Sequence, residues 1–303
     1  MKKVLVAGGT GLVGNRLVSR LIDAGYHIHI LSRSKNENTQ NISYYIWDTK
    51  RGTIDEDALD ADYIVNLTGA GIADSRWTTS RKKVIIDSRV QTNELLKTAI
   101  EKLGKKYEAI VSSSAIGIYG DRDDEVLSEE SPPGEGFMAE CCLLWEQSSR
   151  ILNPYTERQS ILRIGIVLST QGGALPKILM TKPARVINFF GDGSQYYSYI
   201  HMDDLCQIII NCLTDKNYNG TINAVAPEAV TNKDFAKRIT EILPGPYATL
   251  PAPAWGLRIA LGEMADVVLN SNRVIPSKLI KLNFQYQYAE LGACVKHLID
   301  SNV

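Results

Sequence analysis

The sequence has few of the residues that build disulfide frameworks or metal centres. Its 303 residues include five cysteines and four histidines. The number of cysteines is odd, and no Cys-x-x-Cys pair occurs among Cys141, Cys142, Cys206, Cys212 and Cys294. Thiols scattered in this way are typical of small buried apolar side chains in a reducing compartment. We therefore expect neither a disulfide framework nor a metal site.

Long apolar segments and an excess of one charge are also missing. No run approaches the roughly 20 apolar residues of a transmembrane helix, and residues 1–3 lead directly into an apolar segment rather than a secretion signal. The 33 basic and 34 acidic residues give a formal net charge of -1. This balance suggests neither a nucleic-acid surface nor a polybasic membrane face. We expect a cytoplasmic protein that binds no nucleic acid and no membrane.

A glycine-rich turn near the N-terminus joins a predicted strand to a predicted helix. Residues 4–7 are short and apolar, residues 8–14 contain four glycines, and the apolar residues that follow recur at helical spacing. Glycine lets a backbone turn tightly and approach a phosphate, and the helix N-terminus adds free N–H groups and partial positive charge. This arrangement predicts a dinucleotide-binding turn of the Rossmann type.

Two glycine spacings overlap in this turn. Gly9-x-Gly11-x-x-Gly14 fits the general Rossmann fingerprint. Gly8-x-x-Gly11-x-x-Gly14 fits the wider spacing of short-chain dehydrogenases/reductases. The turn alone does not separate the two, so later residues have to decide between them.

Strand and helix signals alternate through the first half of the chain. The patterns predict strands at 26–31, 42–47, 63–67, 109–112 and 160–168, and helices at about 79–103 and 137–152. Strands that alternate with helices imply crossover connections. We therefore expect an α/β fold with a doubly wound parallel sheet, the Rossmann arrangement.

After Leu168 the pattern changes to loops and prolines. Paired glycines mark loops near 172 and 191, and four prolines fall between 244 and 253, before a helix predicted at about 254–269. We expect residues 1–168 to form the nucleotide-binding domain, with about 195–225 returning to it. Residues 169–303 would form mainly a smaller C-terminal lobe for the substrate.

The residues after the second strand discriminate between dinucleotides. An acidic side chain there would accept hydrogen bonds from the ribose hydroxyls of NAD. This chain has Ser32-Arg33-Ser34-Lys35 instead, and a guanidinium suits a 2′-phosphate because its N–H groups donate charge-assisted hydrogen bonds. We therefore expect NADP(H). The alternative is that Arg33 is a solvated loop charge and that Glu37 reaches back as the missing acid.

These motifs resemble an extended member of the short-chain dehydrogenase/reductase superfamily. More narrowly, the chain resembles the epimerase family proteins, often described as nucleoside-diphosphate-sugar epimerases with a C-terminal domain of unknown function. The resemblance spans nearly the whole chain. Besides the glycine turn it rests on Ser32-Arg33, Asn66–Ala73, Arg76–Thr78, Ser88-Arg89, Ser112–Ala115 with Tyr119–Asp121, Ser131–Gly134, Arg163–Leu168, Ile200–Asp204, Asn223–Pro227, and Pro251-x-Pro253 with Gly262-Glu263.

The resemblance implies a set of cofactor contacts. Six residues of the glycine turn would contact the pyrophosphate: Gly8, Thr10, Gly11, Leu12, Val13 and Gly14. Ser32 and Arg33 would contact the 2′-phosphate. The adenosine-ribose side would be lined by the turn after the fourth strand: Asn66, Leu67, Thr68 and Gly69. Asp48 would contact the adenine amino group or stabilise a turn, and Arg89 would contact the cofactor or form a salt bridge on its helix.

The catalytic pattern of that superfamily is incomplete in this chain. Its members carry Tyr-x-x-x-Lys on one helix, where the lysine lowers the pKa of the tyrosine for proton exchange during hydride transfer. Ser114 matches the serine that orients the substrate. Glu146 matches a glutamate of extended members, and counting back from it places Cys142 at the lysine and Met138 at the tyrosine. Neither side chain can perform that chemistry.

Three interpretations remain open. The protein could be an NADP(H)-dependent oxidoreductase or sugar-nucleotide epimerase with a relocated acid/base, for which Tyr119, Glu140 and His201 are candidates. A buried packing role is the alternative for Tyr119. The protein could instead bind NADPH without turnover, as a sensor or scaffold, or the substrate could supply the proton relay. We expect the first, with a small polar substrate, a sugar nucleotide by the family label. The chain would be a monomer or a homodimer.

Overall fold

The strands form one large sheet and three small ones in a computed structural model, which describes residues 1–34 and 36–300. In chain order the strands are β1 (Lys3–Ala7), β2 (His27–Ser32), β3 (Ile42–Asp48), β4 (Thr53–Ile54), β5 (Tyr63–Asn66), β6 (Ala109–Ala115), β7 (Val126–Leu127), β8 (Gln159–Ile164), β9 (Ile166–Leu168), β10 (Val186–Phe190), β11 (Tyr196–His201), β12 (Gly220–Ala224), β13 (Ala229–Thr231), β14 (Ala248–Ala252) and β15 (Arg273–Val274).

The large sheet has eight strands in the order β12-β8-β6-β5-β1-β2-β3-β4. Every neighbouring pair is parallel except β3 with β4. From β1 the chain builds outward first through β2 and β3, and then on the other side through β5, β6 and β8. This order confirms the predicted α/β class and doubly wound sheet. In such sheets the ligand crevice lies outside the carboxyl ends of the strands where the order reverses, which is here between β1 and β5.

Helices cover both faces of the large sheet. In chain order the helices are α1 (Leu12–Asp23), α2 (Thr79–Leu103), α3 (Phe137–Arg150), α4 (Ala174–Ile178), α5 (Met202–Thr214), α6 (Asn232–Ile242), α7 (Ala254–Leu261), α8 (Asp266–Leu269), α9 (Ser277–Lys281) and α10 (Leu291–Asp300). Apolar residues of α1 and α5 share one core with the sheet. Apolar residues of α2 pack on the opposite face, where α3 lies beside α2. None of the described helices is long and apolar enough to cross a membrane.

Helix α2 has the bounds that its sequence predicts. Thr78 caps its N-terminus by accepting the backbone N–H of Arg81 at 3.2 Å. Gly104 follows its last residue with φ of 63°, a left-handed conformation that favours glycine. Local capping chemistry therefore fixes both ends of this helix.

Two predicted elements are interrupted. The strand predicted at 160–168 is wrong as a single element, because β8 stays in the large sheet while β9 pairs with β11. The break falls at Gly165, where a Cβ atom would lie 2.6 Å from the carbonyl oxygen of Ser198. The helix predicted at 254–269 is divided into α7, a 3-10 turn at Gly262–Ala265, and α8.

The C-terminal half builds a second core. Strands β9, β11 and β13 form one small sheet, and β10 pairs with β14. Apolar side chains of α6 and α10 pack against these strands. Within the same half, α5 and β12 belong to the large sheet and its helical layer. The segment 254–269 leaves this lobe and contacts the loop after β5 and the start of α3.

Candidate cofactor site

The glycine turn after β1 is tightly packed against its neighbours. Gly8 has φ of 86°, and its carbonyl oxygen accepts the N–H of Gly11 at 3.0 Å. A Cβ atom at residue 14 would lie 2.1 Å from that same oxygen. A Cβ atom at residue 8 would lie 3.0 Å from the backbone of Leu67. Only glycine fits at residue 14, and the turns after β1 and β5 touch each other.

The N-terminus of α1 is open to an anion. Gly11 is its N-cap, no side chain caps it, and its first turn contains no acidic residue. Free N–H groups and the helix dipole therefore favour a phosphate there. Thr10 is exposed, and Val13 is half-buried. Leu12 packs toward Gly172 and Gly173, so this residue connects the turn with the loop after β9.

Ser32 and Arg33 lie at the carboxyl end of β2. Ser32 is buried, and its hydroxyl accepts hydrogen bonds from the Ser34 N–H at 3.3 Å and from Asn36 Nδ2 at 3.0 Å. Arg33 is exposed, and no carboxylate of the described residues pairs with it, including that of Glu37. Lys35, the last residue of the basic motif, lies outside the described residues. The Arg33 guanidinium is thus available to a ligand.

Asp48 stabilises the turn after β3. Its Oδ1 atom accepts the backbone N–H groups of Lys50 at 2.9 Å and Arg51 at 3.1 Å. These bonds correspond to the turn role that the sequence left open for Asp48. They occupy one carboxylate oxygen of Asp48, and Nε of Arg51 lies 3.7 Å from the other.

The turn after β5 is held by a buried network of polar side chains. Asn66 donates from Nδ2 to Asn93 at 2.8 Å, and its Oδ1 accepts the N–H of Thr68 at 3.1 Å. Asn93 in turn donates to the hydroxyl of Ser148 on α3 at 2.9 Å. The network fixes the backbone of residues 66–68 beside the glycine turn. The sequence prediction missed Asn93, although an asparagine on the apolar face of a predicted helix was a usable signal.

Arg89 extends from α2 to the same turn. Its side chain is buried, and its Nη1 donates to the carbonyl oxygens of Ala70 at 3.1 Å and Ile85 at 2.9 Å. The guanidinium lies over the ring of Trp145, 4.6 Å from the centroid. No carboxylate of the described residues pairs with it, so it does not form the salt bridge that the sequence left open. Burial lowers the pKa of Arg89.

Ser114 is enclosed in the interior of the protein. It is buried, and its hydroxyl donates to Glu146 Oε1 at 3.0 Å. Glu146 is eight residues beyond Met138 on α3, which corresponds to about 12 Å along a helix. Gly117 is the residue that approaches Met138 and Cys142, since its Cβ would lie 3.3 Å and 3.9 Å from their side chains. This position argues against the catalytic role expected of Ser114.

Tyr119 is wholly buried beneath the loop after β6. The single proton of its hydroxyl has two acceptors in reach, Asn223 Oδ1 at 2.7 Å and the Ser128 carbonyl oxygen at 2.9 Å, and the hydroxyl oxygen accepts from Arg163 at 2.9 Å. Burial raises the pKa of Tyr119, although Arg163 opposes that effect. A neutral phenol that is fully hydrogen-bonded and shielded from solvent contributes to packing in the core. The geometry therefore argues against the expected acid/base role.

The residues at the tyrosine and lysine positions of α3 are buried apolar groups. Cys142 is inaccessible to solvent, and burial raises the pKa of its thiol to about 12. Met138 is half-buried, and it contacts an apolar cluster that includes Trp77, Phe137 and Met264. Met264 belongs to the segment 254–269, so this segment contacts the N-terminal end of α3. No ionisable pair stands at these two positions.

The other candidates for proton transfer are also placed elsewhere. Glu140 is exposed on the outer side of α3. His201 is buried, caps α5 by accepting the N–H of Asp203 at 3.0 Å, and stacks on Tyr288. Within residues 1–34 and 36–300, no group of three or more His, Cys, Asp or Glu side chains could hold a metal ion. All five cysteines are free and buried.

A cavity of about 660 Å³ opens between the loop after β6 and the C-terminal half of the chain. Asp121, Asp123 and Asp124 line one wall, and Asp192, Tyr196 and Arg258 line the other. Asp121 accepts the N–H of Ser271 at 2.9 Å, so its carboxylate also joins the two parts of the chain. The size suits a small polar molecule.

The chain is similar to two protein-family models. The model of the NAD dependent epimerase/dehydratase family matches residues 4–224. That of a domain of unknown function, DUF1731, matches residues 252–298. The first match covers the large sheet through β12. The second covers α7 through α10 up to residue 298.

Relatives and solved structures agree with these matches. The epimerase family protein SH2119 of Staphylococcus haemolyticus is 34% identical, over 99% of this chain and 100% of that protein. YfhF of Bacillus subtilis is 30% identical, over 98% and 97%. The structure of human epimerase family protein SDR39U1 with NADPH has a TM-score of 0.87 at 29% identity, covering 98% of this chain and 99% of that one.

Sugar-nucleotide epimerases share the fold. UDP-glucuronic acid 4-epimerase from Bacillus cereus, in complex with UDP-glucuronic acid and NAD, has a TM-score of 0.78. It is 17% identical to this chain and covers 99% of it and 100% of that chain. At this identity the likeness concerns the fold alone.

Proposed function

Because the chain belongs to the NAD dependent epimerase/dehydratase family and carries the DUF1731 C-terminal domain, we propose that it binds NADP(H) at the carboxyl edge of its large sheet. It uses this cofactor in an oxidation or reduction of a small polar substrate. The observation that carries the proposal is the exposed guanidinium of Arg33 after β2, which no described carboxylate pairs with, together with the uncapped N-terminus of α1 after the neighbouring strand β1. The NADPH in the human SDR39U1 structure supports the same cofactor.

The residues at this edge fit the cofactor. A Cβ atom would lie 2.1 Å from the nearest backbone atom at residue 14, 3.0 Å at residue 8 and 3.3 Å at residue 11. Glycine therefore keeps this turn compact, and a pyrophosphate can approach the N-terminus of α1. Thr10, Leu12 and Val13 complete that turn. The Arg33 guanidinium, with Ser32 beside it, can donate to a 2′-phosphate. Asn66, Leu67, Thr68 and Gly69 form the neighbouring wall, and Asp48 lies at the end of β3 toward the adenine side.

Bound NADP(H) supplies a hydride donor or acceptor. The chain itself would bind and orient the cofactor, and the segment 254–269 packs apolar side chains against the start of α3. An epimerase that works through a keto intermediate has to remove and return a hydroxyl proton. Met138 has no exchangeable proton, and the buried thiol of Cys142 cannot replace the cation of the missing lysine. This favours a reductase whose substrate or solvent supplies the proton over an epimerase. In this proposal Ser114 and Tyr119 have structural roles and take no part in proton transfer.

A second function, an NADPH-binding sensor without turnover, is favoured by how the C-terminal lobe is attached. The side chain of Arg76 donates to the Ala260 carbonyl at 2.9 Å, and Lys82 pairs with Glu263. Both basic residues follow the turn after β5, so a nucleotide bound at that turn can change the position of the lobe. This candidate requires tight binding and no hydride transfer.

The test is the cofactor preference of Arg33→Ala. We expect the dissociation constant for NADPH to rise about 10- to 100-fold, and that for NADH to change less than about twofold, because only NADPH carries the 2′-phosphate. Lys50→Ala is the control, since Lys50 is an exposed cation in the turn after β3 and its side chain has no ion pair among the described residues. Equal losses for both dinucleotides would reject the 2′-phosphate assignment.

Turnover separates the two functions. NADPH oxidation is followed with carbonyl compounds and sugar nucleotides as acceptors. Any turnover supports the reductase. Tight NADPH binding without turnover across the panel supports the sensor. Absence of binding to either dinucleotide would contradict both.

A further inference from the structure

We propose that the cavity between the loop after β6 and the C-terminal half of the chain binds a small organic cation. Such a molecule carries ammonium or guanidinium groups on a short carbon chain. The carboxylates of Asp123 and Asp124 and the amide oxygen of Gln195, which all line this cavity, would accept its N–H groups. The site goes beyond the proposed function, because it does not depend on the cofactor.

Gln195 gives the cavity wall an acceptor without a partner. This residue is only 7% exposed. Its Nε2 donates to the carbonyl oxygens of Phe190 at 3.1 Å and Val268 at 3.0 Å, and these two bonds fix the orientation of the amide. Its Oε1 accepts no hydrogen bond from any described residue, so it is the one polar atom of this side chain left for the cavity. An N–H group of a ligand would satisfy it.

The charge of the lining favours a cation. Four aspartates line the cavity, against one basic residue, Arg258. The Arg258 guanidinium already pairs with Asp266 Oδ1 at 3.0 Å. Arg273 also reaches the loop after β6, but there it donates to the carbonyl oxygen of Asp124 and forms no ion pair with the Asp124 carboxylate. An anionic ligand, including the diphosphate of a sugar nucleotide, would be repelled by this lining.

The aspartates differ in how much of each carboxylate is free. Asp121 and Asp192 each use Oδ1 within the chain, Asp121 for the N–H of Ser271 at 2.9 Å and Asp192 for that of Ser194 at 2.9 Å. The carboxylates of Asp123 and Asp124 bond to no described residue. The hydroxyls of Ser194 and Ser271, which also line the cavity, already donate to the chain. The cavity therefore offers mainly acceptors, which a ligand rich in N–H donors would fill.

The spacing of these groups excludes a metal ion and favours a longer molecule. Among the described residues, no three His, Cys, Asp or Glu side chains are close enough together to hold a metal ion. The volume of about 660 Å³ is that of a site for a small organic molecule. Pro253, Ala254 and Leu269 supply apolar lining on which a methylene chain can pack while its nitrogen atoms reach the carboxylates.

The experiment compares three probes that share a four-carbon chain and differ in charge: diaminobutane, butanediol and succinate. Their binding to the full chain is measured by isothermal titration calorimetry. We expect saturable binding of diaminobutane, with a dissociation constant at least about tenfold below that of butanediol, because only its ammonium groups form charge-assisted hydrogen bonds. Succinate should not bind.

The test variant is Asp123→Asn/Asp124→Asn. Asparagine keeps the shape of each side chain and tolerates the left-handed φ of 48° at residue 123. The dissociation constant of diaminobutane should rise about 10-fold or more, because both free carboxylates are lost. A second variant, Ala254→Leu, keeps the charge and fills part of the cavity, so it should also weaken binding, by about threefold or more.

The control is Glu94→Gln/Glu157→Gln. It removes two exposed carboxylates that bond to no described side chain and lie outside this cavity. The net charge changes by the same amount as in the test variant, yet the dissociation constant of diaminobutane should change less than about twofold.

Each other outcome would overturn the inference. Equal affinity for diaminobutane and butanediol, or no saturable binding of diaminobutane, would exclude a cation site. Equal weakening in the control would assign the binding to the overall charge of the protein. Normal affinity in both Asp123→Asn/Asp124→Asn and Ala254→Leu would place the ligand elsewhere. Arg33→Ala should leave diaminobutane binding unchanged, so a failure here is distinguishable from a failure of the proposed cofactor.

Discussion

Ser114 donates its hydroxyl to Glu146 at 3.0 Å, and this bond places the serine about two helical turns from Met138. Glu146 is also bound by Arg163, with Nε to Oε1 at 2.8 Å and Nη2 to Oε2 at 3.2 Å. All three side chains are buried. They join β6, β8 and α3, so the serine belongs to a structural ion-pair cluster rather than to a proton relay.

We predict that Glu146→Gln destabilises the protein by about 3 kcal/mol, because removing one partner of a buried ion pair leaves the Arg163 charge uncompensated. The free energy of unfolding from urea titration is the measurement. NADPH affinity of the folded fraction should remain unchanged, since the cluster makes no contact with the glycine turn.

The control for this prediction is Glu101→Gln. Glu101 pairs with Lys97 one turn away on the exposed side of α2, where such pairs contribute less than about 0.5 kcal/mol. The double variant Glu146→Gln/Arg163→Met should recover part of the lost stability. A loss below about 1 kcal/mol in Glu146→Gln would contradict a structural role for the cluster.

Much of the fold could be predicted because its signals are local. The glycine turn, the alternation of strands and helices, and the ends of α2 each depend on residues within a few positions of one another. Thr78 and Gly104 define α2 by their own capping chemistry. For the same reason the role of Arg33 could be proposed from the sequence, since that role depends only on the position of Arg33 directly after β2.

The catalytic candidates were less predictable because their roles depend on long-range packing. Whether Ser114 faces the substrate or Glu146 is set by how β6 aligns with α3, and those residues are 32 positions apart. Tyr119 meets Asn223 across 104 positions. The break at Gly165 depends on the approach of Ser198. None of these contacts leaves a periodic signal in the sequence.

We predict that His201 makes the protein less stable in mild acid. Burial lowers the pKa of His201 to about 4 from an ordinary value of 6.5, and His297 acts in the same direction, whereas Asp203 opposes it. The unfolded chain therefore binds an extra proton between these two pH values, and stability falls as the pH decreases from about 6.5 to about 4. The total loss from this group is about 3 kcal/mol. Urea unfolding at a series of pH values measures it.

His201→Asn isolates this contribution, because asparagine can still cap α5 but does not titrate in this range. The charged and polar neighbours of His201 are Asp203 and Arg16 on one side and Tyr288 and His297 on the other. They remain in the variant. The variant should lose less stability than the parent between pH 6.5 and 4. Parallel stability curves for the two proteins would refute the assignment.

The last prediction concerns restoring the missing tyrosine and lysine. We expect Met138→Tyr/Cys142→Lys to gain no epimerase activity toward UDP-sugars, and we expect its loss of stability to come mainly from Cys142→Lys. Residue 142 is inaccessible to solvent, and the raised pKa of its thiol, about 12, shows that this place disfavours charge. An ammonium group there is buried, and the nearby carboxylate of Glu146 is already paired with Arg163 and Arg150, so the lysine loses its proton or unfolds the helix.

The comparison of the two single variants tests this reasoning. Met138→Tyr places a larger side chain at a half-buried position near the start of α3, so it should change the free energy of unfolding by less than about 1.5 kcal/mol. Cys142→Lys should cost several times more, measured by urea unfolding. A stable double variant that converts a UDP-sugar would show that only the proton relay had been lost and that the pocket still binds a sugar nucleotide. An unstable Cys142→Lys without turnover would instead mean that α3 has been repacked around an apolar core.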